Sequence, residues 1–374
     1  MAGQIISRGE NTWLVRVYMG QDDGGKRKYH NKTIHGNKKD AQQYLNGVLR
    51  EKDLGTFTQP SKETLNKYLN KWLVTAAKSR VREKTYKSYE DLLRLYIRPH
   101  LGDFKIAELA PLKIQSIYNK LTEQGLSART VRYAHSILRD ALEQAVKWQM
   151  LPRNPAQYVD LPREKKSEKT VMSAANVKAF LEAAEDTPWY ALFSLMIATG
   201  VRPGEALALK WPDVDFEHGK IHVQRTLTRN KEGWKLEEPK TNQSRRVIPL
   251  PKSVIQDLKS LRKRQIEEKL KAEEYTAYGF VFAGGNGEPL LERNVVRRHF
   301  KPLLAKAGLP GSIRLYDLRH TCATLLLLAG ENPKVVAERL GHASVTLTLD
   351  TYSHVLPDMQ QGAADKLQRM LFDK

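Results

Sequence analysis

Helical periodicity over most of a 374-residue chain, broken by a few short alternating runs and by one charged stretch, predicts a multidomain protein, mainly α with small β-sheets. The length alone argues for more than one core, because a single hydrophobic core stops growing near about 250–300 residues. The helical pattern dominates from residue 65 to 148 and resumes at Ser173, whereas strand-like runs are confined to residues 12–19, 28–35, 221–228 and 246–250. Between the helical blocks, residues 162–169 are charged and poor in apolar side chains, which is a linker signal. The expected division is a sheet-plus-helix module over residues 1–58, a helical domain over 59–166 and a mixed α+β domain over 167–374.

Each element follows from its pattern. Thr12 to Met19 alternates and reads as a strand, and Lys28 to His35 pairs with it across a Gln-Asp-Asp-Gly-Gly turn. A helix follows from Lys39 to Lys52, with Ala41, Tyr44, Leu45 and Val48 on one face. Lys26, Arg27, Lys28 and Lys32 crowd the hairpin, where a basic two-stranded ribbon would suit a major groove, although a solvated hairpin would carry the same charges. Gly20 to Lys26 has the spacing of a phosphate-cradling loop, but Arg27 replaces the magnesium-binding hydroxyl and a strand follows in place of a helix, so it reads as a turn. Gly55 to Pro60 is a short linker. Helices are then expected over Leu65 to Ala77, Val81 to Ile97, Lys113 to Gln124 and Ala128 to Trp148, punctuated by Pro99, Pro111, Gly125 and Pro152. Arg80, Arg82, Lys84 and Lys87, then Arg129 and Arg132, cluster beside helix starts, where they fit phosphate contacts as well as an ordinary solvated face.

Composition narrows the partners. A net charge of +20 and a pI near 9.8 call for a polyanion. A cationic membrane protein would need an amphipathic basic helix or a span of roughly 20 apolar residues. The densest apolar stretch, Leu325 to Ala329 with its neighbours, is far shorter and reads as a buried helix, and Met1 to Arg8 lacks a signal-peptide pattern. The single cysteine, Cys322, cannot form an internal disulfide and sits in an apolar helical pattern, so it reads as a packing residue in a reducing, cytoplasmic setting.

The carboxyl-terminal half carries side chains suited to phosphodiester chemistry. A pentavalent phosphoryl transition state gathers charge on its non-bridging oxygens, and guanidiniums stabilise that charge without titrating. Arg202, at a helix start marked by Pro203 and Glu205, and Arg319, in a helix-opening Asp-Leu-Arg-His, are the candidates. Lys240, in a turn between two strand-like runs, could protonate a leaving oxygen, and Tyr352 could hold the phosphoryl group covalently. A phenol has an unperturbed pKa of about 10, so that tyrosine needs neighbouring cations or a base. His342, 10 residues before Tyr352, can donate a hydrogen bond from a neutral ring; His320 and His354 read as supporting or packing residues. Asp213 and Asp215 with His218 and His222 are the only candidate metal ligands, but Gly219 and the strand-like run after it spoil a helical ligand face, so no metal or other cofactor is expected.

Five segments carry a resemblance: Thr-Gly-Val-Arg-Pro-Gly-Glu-Ala-Leu at 199–207, Lys-Thr-Asn-Gln-Ser-Arg-Arg-Val-Ile-Pro-Leu at 240–250, Tyr-Asp-Leu-Arg-His-Thr at 316–321, Leu-Gly-His-Ala-Ser at 340–344 and Asp-Thr-Tyr-Ser-His at 350–354. Together, in this order, they resemble the tyrosine recombinases, the phage and conjugative-transposon integrases. The resemblance spans the whole chain and is motif-dense from about residue 170. It implies an amino-terminal arm-binding module, a helical core-binding domain and a catalytic domain, acting on double-stranded DNA at arm and core attachment sites. It also implies Tyr352 as the nucleophile of a 3′-phosphotyrosyl intermediate, Lys240 as the acid for the 5′ oxygen and His342 as a donor to a phosphate oxygen. Four protomers on DNA would act through a Holliday junction, with an excisionase and a host DNA-bending protein as further partners. One departure stands out: many members have histidine three residues before the second arginine, and this chain has Tyr316, which can position a phosphate but is a poor base.

The tail, Asp358 to Lys374, has Ala363, Leu367, Met370 and Leu371 at helical spacing and would fold back on its own core or, as in the family, pack on a neighbouring protomer. Two rival readings share much of this sequence: a type IB topoisomerase-like enzyme, and a non-catalytic DNA-binding regulator on an integrase scaffold.

Overall fold

The computed structural model describes residues 3–21, 24–54, 57, 61–164, 170–230, 233–238, 245–352, 364–365 and 367–372. The chain divides into two compact units, Met1–Lys166 and Ser167–Lys374.

The first unit begins with a three-stranded antiparallel meander, β1 (Gly3–Gly9), β2 (Thr12–Gln21) and β3 (Arg27–His35), covered by α1 (Lys38–Asp53). The basic hairpin is therefore part of a three-stranded sheet, not the two-stranded ribbon expected. β1 escaped the pattern because Gly-Gln-Ile-Ile-Ser does not alternate cleanly; Gly3 lies so close to α1 that an added Cβ would sit 2.5 Å from Leu45 Cδ1. Asn37 caps α1 by accepting from the Asp40 N–H while the Asp40 carboxylate accepts from the Asn37 N–H. Val15 and Val17 of β2 pack on Ala41, Leu45 and Val48 of α1 as a small separate core. The intervening β2 residues face the other way, so Arg16 and Tyr18 pair with Asn31 and Tyr29 on the open face. There the Arg16 guanidinium lies 5.3 Å from the centre of the Tyr29 ring, and Gln4, Arg16, Tyr18, Gln21, Arg27 and Tyr29 line a concavity of about 570 Å³.

The helical part of this unit has its own core. α2 (Leu65–Trp72) runs through a wide π turn, Leu73–Ala77, into α3 (Lys78–Arg80); α4 (Glu83–Leu92) runs through another, Leu93–Ile97, into α5 (Arg98–Leu101). α6 (Pro111–Glu123) and α7 (Ala128–Lys147) complete the group, burying Leu65, Tyr68, Trp72, Tyr118, Leu138 and Leu142 at its centre. Pro99 was expected to punctuate the chain here, yet the helix continues past it. The π turn makes this possible: Arg98 N–H reaches five residues back to Leu93 O, so the ladder has already shifted where proline lacks a donor. The same device, a π turn at Val296–Phe300, precedes Pro302.

The second unit starts with α8 (Ala174–Ala184), α9 (Tyr190–Thr199) and the short α10 (Pro203–Leu207). Two small sheets follow. β4 (Val214–Asp215), β5 (Lys220–Val223) and β8 (Arg246–Pro249) form one; β6 (Thr226–Asn230) and β7 (Gly233–Glu237) form a separate hairpin. The single strand expected over residues 221–228 is thus two, because the chain breaks at Gln224 and Arg225, where the Arg225 guanidinium turns to the buried Asp213 carboxylate at 3.0 Å. α11 (Lys252–Lys271), α12 (Glu292–Val295), α13 (Lys301–Lys306), α14 (Asp317–Leu328), α15 (Pro333–Leu340) and α16 (Val345–Tyr352) follow. Phe180, Phe193 and Phe300 meet ring to ring at 5.3–5.6 Å in the core. α14 is buried over its first two turns, but its end surfaces, with Leu328 50% exposed, so the apolar run that read as wholly buried is only half so. Among the described residues, no helix is long and apolar enough to cross a membrane.

Candidate active site

Three turns of the second unit meet around a cluster of cations. The first is the junction of α9 and α10. Gly200 ends α9 in the left-handed conformation (φ 65°), and an added Cβ would meet Leu340 Cδ2 at 2.5 Å, so glycine is favoured here. Two residues on, Arg202 stands at the α10 amino terminus; its backbone N–H donates to Glu205 Oε2 at 3.0 Å and its Nη1 to Glu205 Oε1 at 2.6 Å. The second turn opens α14. It sets Arg319 in the first turn of the helix, buried at 1% exposure, with Nη1 donating to Gly200 O at 2.8 Å. Its other terminal nitrogen, Nη2, is buried and has no hydrogen-bond partner among the described residues. The third is the end of α15, where Gly341 caps the helix with φ 67° and delivers His342. Arg202 Nη2 donates to Gly341 O at 3.4 Å, tying the first turn to the third.

A carboxylate and a third guanidinium complete the cluster. Arg246, on β8, donates from Nη2 to Glu205 Oε2 at 2.8 Å and from Nε to Arg339 O at 2.7 Å. Arg339 returns the link, with Nη2 donating to Ala198 O at 2.9 Å and Pro249 O at 3.2 Å. Burial alone would raise the Glu205 carboxyl, but Arg246 and Arg202 outweigh it and hold the group below the usual carboxylate range. Three guanidiniums less one carboxylate leave a local charge of +2, which suits a phosphate and its developing charge.

Electrostatics sort the remaining groups. Burial, then the nearby Arg202, draws the Arg319 guanidinium down to about 10, still cationic at neutral pH. Burial and the charges of Arg319, Arg202 and Arg246 push His342 down to about 4, so its ring is neutral near pH 7. His342 Nδ1 lies 2.7 Å from Thr348 Oγ1. Arg246, Lys334, His342, Ser344 and Val345 border a cleft of about 420 Å³. Tyr316, 40% exposed, sits at the rim with its ring 5.3 Å from that of the buried His320.

The structure therefore gathers Arg202, Arg319 and His342, and sets Tyr316 at the edge. Tyr352 ends α16, with its side chain outside the described residues. Lys240 and His354 also lie outside them. Cys322 is buried beside Gly200, and its thiol is pushed up to about 11 by burial, as suits a packing residue. The acidic residues weighed as metal ligands are engaged otherwise: Asp213 with Arg225, and Asp215 with His218 at 2.9 Å and Lys220 at 3.7 Å. Of the basic residues singled out in the first unit, Arg80 pairs with Asp140 at 3.0 Å and Arg132 donates to Pro162 O at 3.2 Å, while Lys26, Arg27, Lys28, Lys32, Arg82, Lys84, Lys87 and Arg129 are exposed. Arg246, Glu205 and Thr348 received no role from sequence. Arg246 and Glu205 stand inside the motifs quoted, so a signal was present; nothing in the pattern distinguishes Thr348 from its neighbours Thr346 and Thr351.

Comparison with known proteins places this geometry. Residues 170–359 match the phage integrase family, and residues 64–122 match the phage integrase N-terminal SAM-like domain. A tyrosine recombinase XerC-like protein of Caldanaerobacter subterraneus subsp. tengcongensis is 32% identical over 97% of each chain. The ICEBs1 integrase of Bacillus subtilis is 29% identical over 76% of this chain and 78% of its own. Among solved structures, the Tn1549 transposon integrase in complex with a circular intermediate DNA superposes with a TM-score of 0.70 and 25% identity, covering 82% of this chain and 100% of that one. The lambda integrase dimer bound to a core site shares the fold at 18% identity, with a TM-score of 0.61 over 93% of this chain. Neither the topoisomerase reading nor the regulator reading gains support from these likenesses. The chain belongs to the phage integrase family and is a tyrosine recombinase, an enzyme of site-specific DNA strand breakage and rejoining.

Proposed function

We propose that this recombinase integrates and excises a mobile element, with Tyr352 as its nucleophile. The carrying observation is the buried Nη2 of Arg319, a donor without a hydrogen-bond partner among the described residues, beside Arg202 and His342. A buried guanidinium donor left unpaired is costly, and an anion's oxygen is its natural partner. Tyr352 releases its phenolic proton to solvent, the nearby guanidiniums stabilising the phenolate; its oxygen attacks the phosphorus, the bond to the 5′ oxygen breaks, and a 3′-phosphotyrosyl ester and a free 5′-hydroxyl result. Lys240 protonates that departing oxygen. Arg202 and Arg319 hold the non-bridging oxygens, with His342 donating to one of them and Tyr316 positioning from the rim. The ester conserves the energy of the broken bond, and the 5′-hydroxyl of the partner duplex attacks it to rejoin the strands.

The other modules take DNA and protein partners. The 1–58 module reads arm sites through the open sheet face around Arg16, Tyr18, Arg27 and Tyr29, flanked by Lys26, Lys28 and Lys32. Residues 59–166 grip the core site through Arg82, Lys84, Lys87 and Arg129, with Arg80 and Arg132 closer to structural roles. Four protomers assemble on DNA; the exposure of Leu367, Met370, Leu371 and Phe372, at 55–79%, favours a tail that packs on a neighbour over one that folds back. A mobile-element origin is favoured by the likeness to the Tn1549 transposon integrase. An excisionase and a host DNA-bending protein would set direction in the cytoplasm, at the nucleoid.

Suicide DNA substrates carrying a core site test the reading. Wild-type protein should accumulate a covalent adduct, and Tyr352→Phe should bind the same DNA with no adduct. Adducts of normal yield from Tyr352→Phe would remove Tyr352 from this role.

A further inference from the structure

We infer that Thr348 is a positioning residue that fixes which ring nitrogen of His342 carries the proton, and that it thereby ties the helix ending at Tyr352 to the phosphate-binding cluster. The inference rests on the proposed role of His342 as a donor to a phosphate oxygen. Thr348 is fully buried, at 0% exposure, with its Oγ1 2.7 Å from His342 Nδ1. It lies on α16 four residues before Tyr352, one helical turn away.

The direction of that hydrogen bond follows from proton counting. A hydroxyl has one proton to give, and a buried one left without an acceptor is costly. Among the described residues, Thr348 Oγ1 has no hydrogen bond other than the one to His342. If Nδ1 carried the proton and donated it, the hydroxyl proton would have nowhere to go. The satisfied arrangement has Thr348 donating and Nδ1 accepting, which leaves the ring proton on Nε2. The ring is neutral near pH 7, because burial and the surrounding guanidiniums disfavour the imidazolium. A neutral ring in this tautomer has one donor, and Thr348 has assigned it to the nitrogen that does not face the threonine. Without the threonine, the two tautomers compete and part of the population presents a lone pair to an anion.

The bond has a second consequence. His342 is fixed by the Gly341 cap of α15, and Thr348 belongs to α16, so one hydrogen bond sets the register of the Tyr352 helix against the cluster. A slip or rotation of α16 large enough to move Tyr352 breaks the bond and releases the tautomer. Docking of the nucleophile helix and readiness of His342 are in this way a single event.

The test is a two-bond proton–nitrogen correlation spectrum of full-length protein with ¹⁵N-labelled histidine at neutral pH, the His342 signals being identified by their loss in His342→Gln. Wild-type protein should show the pattern of a neutral ring protonated at Nε2. Thr348→Val, close in shape but without the hydroxyl, should show a mixture or the opposite tautomer. It should also slow covalent-adduct formation by about ten-fold, the scale of one hydrogen bond. Thr348→Ser should recover the wild-type pattern and most of the lost rate. A wild-type ring protonated at Nδ1, or a Thr348→Val spectrum identical to wild type, overturns the inference. The wild-type spectrum alone can do so, even if the valine variant does not fold. Failure of the underlying reading looks different: His342→Leu, whose side chain can donate nothing, would then form adducts at the wild-type rate, while the tautomer assignment stood.

Discussion

At the scale of single residues, the proposed site stores an electrostatic cost that a bound phosphate would relieve. Arg319 is a buried cation with one donor unpaired among the described residues, crowded by Arg202 and Arg246. Such a group is retained at the expense of stability. Arg319→Met keeps much of the volume and removes the charge, so the free protein should become more stable by about 1–2 kcal/mol, within the range seen when buried charges give way to apolar residues. The same variant should lose at least about 100-fold in cleavage rate, the scale for one missing oxyanion donor. Denaturant melts and suicide-substrate kinetics check the two halves, and a destabilised Arg319→Met would mean that the guanidinium is a net structural asset. His342 behaves in the same sense with pH. Its folded pKa of about 4 lies below the ordinary 6.5, so the unfolded chain takes up the proton first as pH falls. The resulting loss of stability begins near pH 6.5 and is complete near pH 4, at a cost on the order of 3 kcal/mol. His342→Gln should remove that loss, so its stability relative to wild type should rise through this window; a constant difference across it would contradict the burial argument. Residue identity at these positions was legible in the sequence because arginine, histidine and tyrosine sit in distinctive neighbourhoods. Thr348 was not, because its importance comes from a partner in another element, which no local spacing encodes.

At the scale of elements, the site is a junction of short turns held by one carboxylate. Glu205 gives one oxygen to Arg202 and shares the other between the Arg202 backbone and Arg246. Arg246 in turn staples β8 to the end of α15, the helix that delivers His342. With Arg246 present, Glu205 engages Arg202 through a single guanidinium nitrogen. Without it, Oε2 keeps only the Arg202 backbone N–H and can also accept from the guanidinium in the bidentate geometry that carboxylates and guanidiniums favour, which would withdraw Arg202 from a phosphate. Arg246→Met should therefore slow adduct formation by roughly 30-fold or more, equivalent to about 2 kcal/mol. Adding Glu205→Gln in the same chain should restore part of the rate, because a neutral amide holds Arg202 less tightly. A double variant slower than the product of the two single effects would argue that the pair acts through folding alone. Sequence bounded the helices between residues 38 and 147 to within a few residues, since their apolar faces repeat at the helical period, and from Ser173 onward it foretold helices without bounding them. It erred where a local rule met a compensating one: Pro99 did not end its helix because the preceding π turn had already shifted the ladder, and residues 221–228 split because Arg225 turns to Asp213. β1 was invisible for the opposite reason, its two glycines and mixed residues giving no period to detect.

At the scale of the whole molecule, the arrangement of cores states which parts can be removed. Val15, Val17, Ala41, Leu45 and Val48 form a closed cluster with Phe57 packed against it, and every member lies before residue 58. The helical core starts at Leu65 and shares none of these residues. The catalytic core, from Met172 to Leu318, is separate again. Deleting residues 1–58 therefore removes one complete core and cuts through neither of the others, so the remainder should stay folded by circular dichroism. With the open sheet face of Arg16, Tyr18 and Tyr29 gone, binding to arm DNA should vanish, while binding and cleavage at the core site persist. The charge of the chain sets the form of that residual binding. Each phosphate neutralised by the remaining lysines and arginines should add about 0.9 to the negative slope of log affinity against log salt. The truncated protein should thus give a steep slope on core DNA, and replacing Lys84 and Lys87 together with alanine should reduce it by up to about 1.8 if both side chains meet phosphates. A folded truncation that cannot hold core DNA even at low salt would show that the amino-terminal module contributes to the core grip, and the division of labour drawn from the separate cores would fall.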